Sequence, residues 1–294
     1  MKSHKKGIII GLVAFLIVIA GVAIGAKHFI DKKVADDQRI VATSAAITEI
    51  FDKLDINLVG VPNTQAKIPK RYQNVEKIGN PMKPSIEKIA SLNPTRVYAV
   101  STLKDQYDDS FKEQSVKVTY LSLDSVTDLE ETLATLGKEY YRQGQANKQI
   151  KIINDAVAKA KKRVHGRKPK VLVLMGLPGA NYMILTNKSY LGDLVNIAGG
   201  ENVYKSSSQI YLSPSNESLA TKNPDVILRL EHALPNVTVP QFKQEFKKNP
   251  VWKKMKAVKE NKVYDLQQPD FNASANMNVP EALNKLSNIF YPEN

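Results

Sequence analysis

The chain has no cysteine among its 294 residues. That excludes disulfides, cysteine–zinc sites, iron–sulfur clusters and thiol nucleophiles, and it leaves cysteine usage silent on redox compartment. Histidine is almost as scarce, with only His4, His28, His165 and His232. A bare zinc or manganese site gathers several imidazoles and carboxylates, so four scattered histidines argue against one. Phosphate-binding glycine loops, nucleophile elbows and zinc-protease motifs are missing too. Ser85–Lys88 reads SIEK, the Ser-x-x-Lys spacing of penicillin-binding enzymes, but no Ser-Asp-Asn or Lys-Thr-Gly accompanies it. An exported serine hydrolase is therefore a remote alternative, and the expectation is that the chain is not an enzyme.

Acidic residues are outnumbered, 29 against 42 Lys and Arg, for a net charge of +13. Such a balance raises the question of nucleic acid. The lysines are instead scattered through helical stretches such as KKRVHGRKPK and FKKNPVWKKMK, without interleaved aromatics or a helix-turn-helix pattern. No nucleic-acid partner is expected. A solvated basic surface is the simpler reading, and it would sit comfortably beside anionic lipid or cell-wall polymers.

The longest uncharged run, Gly7–Ala26, follows Lys2, Lys5 and Lys6. About 20 apolar residues cross a bilayer, so residues 1–27 read as a signal-anchor or transmembrane segment with residues 28–37 as a tether. The flanking lysines favour a cytoplasmic N-terminus, an asymmetry weakened by Lys27, Lys32 and Lys33. The alternative is a cleaved signal peptide using Ala23, Gly25 and Ala26. Both readings export the remainder.

From residue 38 the chain alternates short apolar runs with amphipathic helical patterns, the signature of an α/β protein. RIVAT, NLVGVP, VYAVST and VTYLSL read as strands of a first lobe, residues 38–141. KVLVLMGLPG, YMILTN, DVILRLEHALP and KVYDLQQ read as strands of a second, residues 167–294. Between them, VTDLEETLATLGKEYYRQGQ is helical in pattern. ANKQIKIINDAVAKAKKRV follows, with Ile150, Ile153, Ala156, Val157 and Ala160 on one face, and predicts a connecting helix over 142–166. The lobes echo each other. EKIASLNPTRV from Glu87 and ESLATKNPDVI from Glu217 each give a helix ended by Asn-Pro and then a buried strand.

Two α/β lobes, one connecting helix and the strings KIGNPMKPSIEKIASLNPTRVYAVST, YLGDLVNIAGGENVY and WKKMKAVKENKVYDL resemble the substrate-binding proteins of ABC importers for iron chelates, haem and cobalamin. IGNPMKP, VLVLMGLPG and ILRLEHALP are nearer still to the IsdE-type haem-binding proteins of Gram-positive bacteria. The resemblance spans residue 38 to the C-terminus and implies a periplasmic-binding-protein class III-like fold. It also implies an extracytoplasmic receptor that captures haem in the interlobe cleft for iron acquisition. Its partners would be an ABC permease and ATPase, the cell membrane, and surface haem-donor proteins. Ferric siderophores or cobalamin are alternative cargoes, with Arg229 and Tyr182 available to a siderophore.

Carried over residue by residue, the resemblance makes Met82 in NPMKP and His232 in LEHALP the two axial ligands of haem iron, one from each lobe. Thioether and imidazole are an established axial pair that biases the potential upward. A methionine is more often a flexible gap-filler, and a lone histidine more often a surface residue. Of the four histidines, His232 alone is well placed for a cleft, since His4 and His28 lie near the membrane segment and His165 in a basic run at a helix end. Gly176, Pro178 and Gly179 form a turn whose amides could approach an anion such as a propionate. Val61, Tyr182, Met183 and Phe271 lie near loops expected to face the cleft. Glu87 and Glu217 match the acidic pair, one per lobe, that docks to permease arginines in this family; the plain alternative is a solvated first-turn glutamate. IsdE-type receptors are lipoproteins, and this sequence has no cysteine to lipidate. The N-terminal helix is accordingly expected to be the anchor, with the binding region on the extracellular face.

Overall fold

The computed structural model describes residues 37–177, 182–231 and 235–292. The expected anchor and most of its tether, together with Pro178, Gly179 and His232, lie outside the described residues. Among those that are described, no helix is long and apolar enough to cross a membrane.

Two α/β lobes are present. In the first, β1 (Ile40–Ala42), β2 (Gly60–Val61), β3 (Glu76–Lys77), β6 (Arg96–Val100) and β7 (Val118–Leu121) form a sheet in the order β3-β2-β1-β6-β7, every neighbouring pair parallel. A separate hairpin of β4 (Gly79–Asn80) and β5 (Lys83–Pro84) projects from it. The second lobe contains β8 (Lys170–Gly176), β9 (Tyr182–Leu185), β10 (Glu201–Asn202), β11 (Tyr211–Leu212), β12 (Val226–Glu231) and β13 (Val263–Leu266). Its order is β11-β9-β8-β12-β13, with β10 also beside β8. β8, β12 and β13 are parallel, and β9 runs antiparallel to both its neighbours. The central strands β8 and β12 are apolar almost throughout and buried, as a parallel sheet covered on both faces requires.

The 20-residue helix Gln143–Lys162 connects the lobes, a length of about 30 Å at 1.5 Å per residue. It buries Ala146, Ile153 and Ala160, one residue every seventh position, against Val126–Glu139 on one side and Val279–Phe290 on the other. These small contacts help make one apolar core run through both lobes, from Ile47 and Phe51 to Val171, Leu194 and Leu286.

The helical pattern from Val126 does not continue unbroken to Gln145. The first helix stops at Glu139, Tyr141 takes a positive φ of 55°, and the chain turns back. Arg142 holds this corner: its buried guanidinium donates to the carbonyls of Asp55, Tyr140 and Tyr141. Gly137 permits the return, because a Cβ there would lie 2.5 Å from Cβ of Ala146.

Both copies of the echoed unit fold alike. Ser85 caps Ile86–Ser91 by accepting from the Lys88 amide, and Ser215 caps Asn216–Ala220 by accepting from the Ser218 amide. Each short helix then leads through Asn-Pro into a central strand, β6 or β12. Serine is a favoured cap because its oxygen satisfies an amide that the first turn leaves without a partner.

Candidate ligand cleft

In parallel sheets, ligands bind beyond the carboxyl ends of the strands. The two such edges meet here: the Ala275 amide, beyond β13, donates to the Leu123 carbonyl, beyond β7, at 2.8 Å. Two further bonds cross between the lobes. The Val126 amide donates to Asp193 Oδ2 at 2.8 Å, and the Met277 amide donates to Glu49 Oε2 at 3.4 Å. Burial pushes the Glu49 carboxyl up to about 7, and burial also raises Asp193.

The first-lobe wall carries Met82 on the turn of the β4–β5 hairpin. Gly79 takes a φ of 98°, and a Cβ on it would approach the Ser85 amide nitrogen to 2.9 Å, so this turn needs glycine. The hairpin is tied to the lobe by Ser85 N–H donating to Ile78 O and Asn63 N–H to Gly79 O. Asn80 folds back to accept from the Met82 amide at 2.8 Å. Met82 is 43 % exposed, among the large hydrophobic residues described equalled only by Ile152 on the connecting helix. A gap-filling methionine would be buried; this one is held outward on a braced turn.

The second-lobe wall is built by β12, whose last residue, Glu231, pairs in register with Gly176 of β8. Glu231 is 2 % exposed, and neither of its carboxylate oxygens makes a well-formed hydrogen bond. Burial raises its pKa, against a weaker pull from the Gln267 side chain. His232, the next residue, lies outside the described residues, as do Pro178 and Gly179. A buried carboxyl at the end of a strand is a feature that sequence reasoning passed over. An ionisable residue closing an otherwise apolar run was its only signal.

The remaining expected pocket residues are placed differently. Val61 and Phe271 belong to the main core, and Tyr182 sits in the second-lobe core edge-on to Trp252 at 5.7 Å. All three are buried. Gly176 is backed by Phe242 and Thr238, and a Cβ there would come within 2.8 Å of the Phe242 ring. These four support the walls by packing, because alternate positions near the strand ends point into the layers. Met183 is half-buried against the main core. Arg229 and Tyr182 do not form a siderophore site as placed. Arg229 makes a bidentate pair with Asp265 at 2.6 and 2.8 Å and stacks over Phe246 at 4.8 Å. The Ser85–Lys88 pair is structural: Ser85 is the helix cap, while the Lys88 ammonium bonds to Glu76 and the Lys77 carbonyl.

Glu87 and Glu217 both stand at the second position of their capped helices, exposed and without a partner among the described residues. The described residues include no group of three or more His, Cys, Asp or Glu able to hold a bare metal ion. A cavity of about 590 Å³ lies along the connecting helix between Glu130, Lys161 and Asp193, and the Met82 hairpin is not part of its lining.

Residues 40–269 match the periplasmic binding protein family. The high-affinity heme uptake system protein IsdE of Staphylococcus aureus is 41 % identical over 261 residues, covering 87 % of this chain and 88 % of that protein. The crystal structure of S. aureus IsdE complexed with heme superposes with a TM-score of 0.84, over 87 % of this chain and 99 % of that one. An ABC transporter substrate-binding protein from Listeria monocytogenes superposes with a TM-score of 0.80 at 40 % identity, over the same shares.

Proposed function

Because the chain belongs to the periplasmic binding protein family, we propose that it is the extracytoplasmic haem receptor of an ABC importer. The cargo is haem, taken up in the cleft between the lobes and passed to a permease for iron acquisition. One observation carries the reading: 41 % identity to a haem uptake receptor extends over nearly the whole of both chains, and the fold superposes on its haem complex. The relatives are binding proteins, and binding without turnover is the activity assigned here.

In this reading Met82 and His232 fill the two axial positions of the iron, one from each lobe. The outward, braced position of Met82 supports its half of the pair. For His232 the support is that it follows Glu231, the last residue of β12, in sequence. Filling both positions leaves no open site for oxygen chemistry. Glu87 and Glu217 are the docking pair for the permease, supported by their matched caps and free carboxylates. The Gly7–Ala26 segment is the anchor.

The test is an absorption titration of residues 37–294 with haemin, before and after dithionite, beside Met82→Ala and His232→Ala. Saturable binding with a low-spin six-coordinate spectrum, altered by each substitution, is expected. Binding indifferent to both would remove the ligand assignment, and no binding would move the cargo to siderophores or cobalamin.

A further inference from the structure

The net charge of +13 is not spread evenly. Residues 38–141 carry 13 Lys and Arg against 14 Asp and Glu, whereas residues 167–294 carry 16 against 11. Half of those second-lobe cations are lysines of one short stretch: Lys243, Lys247, Lys248, Lys253, Lys254, Lys256, Lys259 and Lys262, against only Glu245 and Glu260. Both acids are engaged. Glu245 accepts from Asn249 and from the Trp252 indole, and Glu260 pairs with Lys262. Lys256 is paired with Asp225. The other six lysines are exposed and, among the described residues, form no salt bridge, although Lys243 also feels the buried Glu231 carboxyl.

Their position in the fold is set by the docking helix. Asn249 Nδ2 bonds to Asn216 Oδ1 at 2.8 Å, and the Lys256 amide donates to Asn223 Oδ1 at 3.1 Å. The strip Asn249–Lys256 is thus laid along Asn216–Asn223, the segment bearing Glu217. The aromatics of the stretch are turned inward, with Trp252 and Phe242 buried. What remains outside is a field of flexible ammonium groups with no fixed fork and no stacking surface. That chemistry suits a diffuse anionic plane, not a shaped ligand, for which arginine would serve better.

We propose that this lysine face rests on the anionic headgroups of the bilayer bordering the permease. It would supply an attraction that the first lobe, with its balanced charge, lacks. The inference rests on the docking reading for the direction in which Glu217 faces, and it does not depend on the cargo.

The test uses residues 37–294, which contain both lobes and their cores and span the whole matched region. The fragment is cosedimented with vesicles of phosphatidylcholine alone and with phosphatidylglycerol added. The patch variant is Lys247→Gln, Lys248→Gln, Lys253→Gln and Lys254→Gln together. The control removes the same charge from the exposed connecting helix: Lys148→Gln, Lys151→Gln, Lys159→Gln and Lys162→Gln. Wild type and control are expected to bind only the anionic vesicles, in a salt-sensitive way, with the patch variant weaker by at least about tenfold. Haemin titration of both variants stays at the wild-type curve, so loss of vesicle binding is separable from loss of the haem reading. Equal weakening by patch and control, or binding indifferent to the anionic lipid, would overturn the proposal.

Discussion

The two lobes start from the same local unit and finish as different instruments. Each has a serine-capped helix, a first-turn glutamate, an Asn-Pro stop and a central parallel strand. The first lobe then builds an all-parallel sheet and presents its methionine on a separate hairpin, outside the sheet. The second closes one sheet edge with antiparallel β9 and β11. In the proposed ligand pair, one residue stands on a hairpin arm and the other follows a central strand, β12, in sequence. In this mixed sheet β8 lies between antiparallel β9 and parallel β12. The lesson is that a repeated unit can keep its local geometry while the segments around it diverge.

The difference in mounting leads to the largest expected effect. In the proposed pair the imidazole is the stronger ligand, so His232→Ala is expected to weaken haem binding about 100-fold, roughly 3 kcal/mol, in the absorption titration. Met82→Ala removes the softer thioether and is expected to cost about tenfold, with a lowered reduction potential in a spectroelectrochemical titration. Equal losses would mean that the two residues hold the iron alike.

Docking should treat the lobes as equals. Glu87→Lys and Glu217→Lys are each expected to lower haem-dependent growth of iron-starved cells about tenfold, and the pair to abolish it, with haemin affinity unchanged. Growth unaffected by the double reversal would reduce the echo to ordinary helix punctuation.

Between the lobes, Glu49 gives a prediction in pH. Its folded pKa, about 7, stands above the ordinary 4.5 because of burial. The native state therefore holds the proton more tightly than the unfolded chain does. The stability this contributes is complete below about 4.5 and is lost as pH rises through about 7. Glu49→Gln should match wild type in acid and exceed it by about 2 kcal/mol at pH 8 in urea unfolding. A variant no more stable at pH 8 would mean that the carboxylate is well solvated at the lobe junction.

The smallest effect is on the arm itself. Gly79→Ala places a Cβ against the Ser85 amide in a positive-φ turn and is expected to cost about 1 kcal/mol in global stability. It should also broaden the low-spin haem spectrum by loosening Met82. A spectrum identical to wild type would show that the hairpin need not be rigid.

Much of this architecture was legible in the sequence because it is written in local signals. All eight apolar runs read as strands are strands, and the echoed glutamates and serines mark equivalent helix starts. The elements that were missed, β3, β4, β5, β10 and β11, are two residues long, too short to show a period. The helix break at Tyr140–Arg142 has no proline or glycine at the corner; it depends on Arg142 reaching the carbonyl of Asp55, distant in sequence. Met82 enters the proposed site through family resemblance, and its exposure is unlike that of a packing methionine. Val61, Tyr182 and Phe271, expected near the pocket, are buried in the cores, because proximity to a strand end does not reveal which way a side chain points. Glu49 and Asp193 carried no signal, since each acquires its role only from an amide of the other lobe.

Those amides govern how cargo leaves. The Leu123–Ala275 and Val126–Asp193 bonds, together with a core continuous along the connecting helix, make the gap between the walls a fixed calibre. Spreading it breaks these bonds and exposes apolar surface simultaneously. In the proposed reading, unloading is therefore work done on the receptor by its membrane partner, and the clock of delivery belongs to the importer.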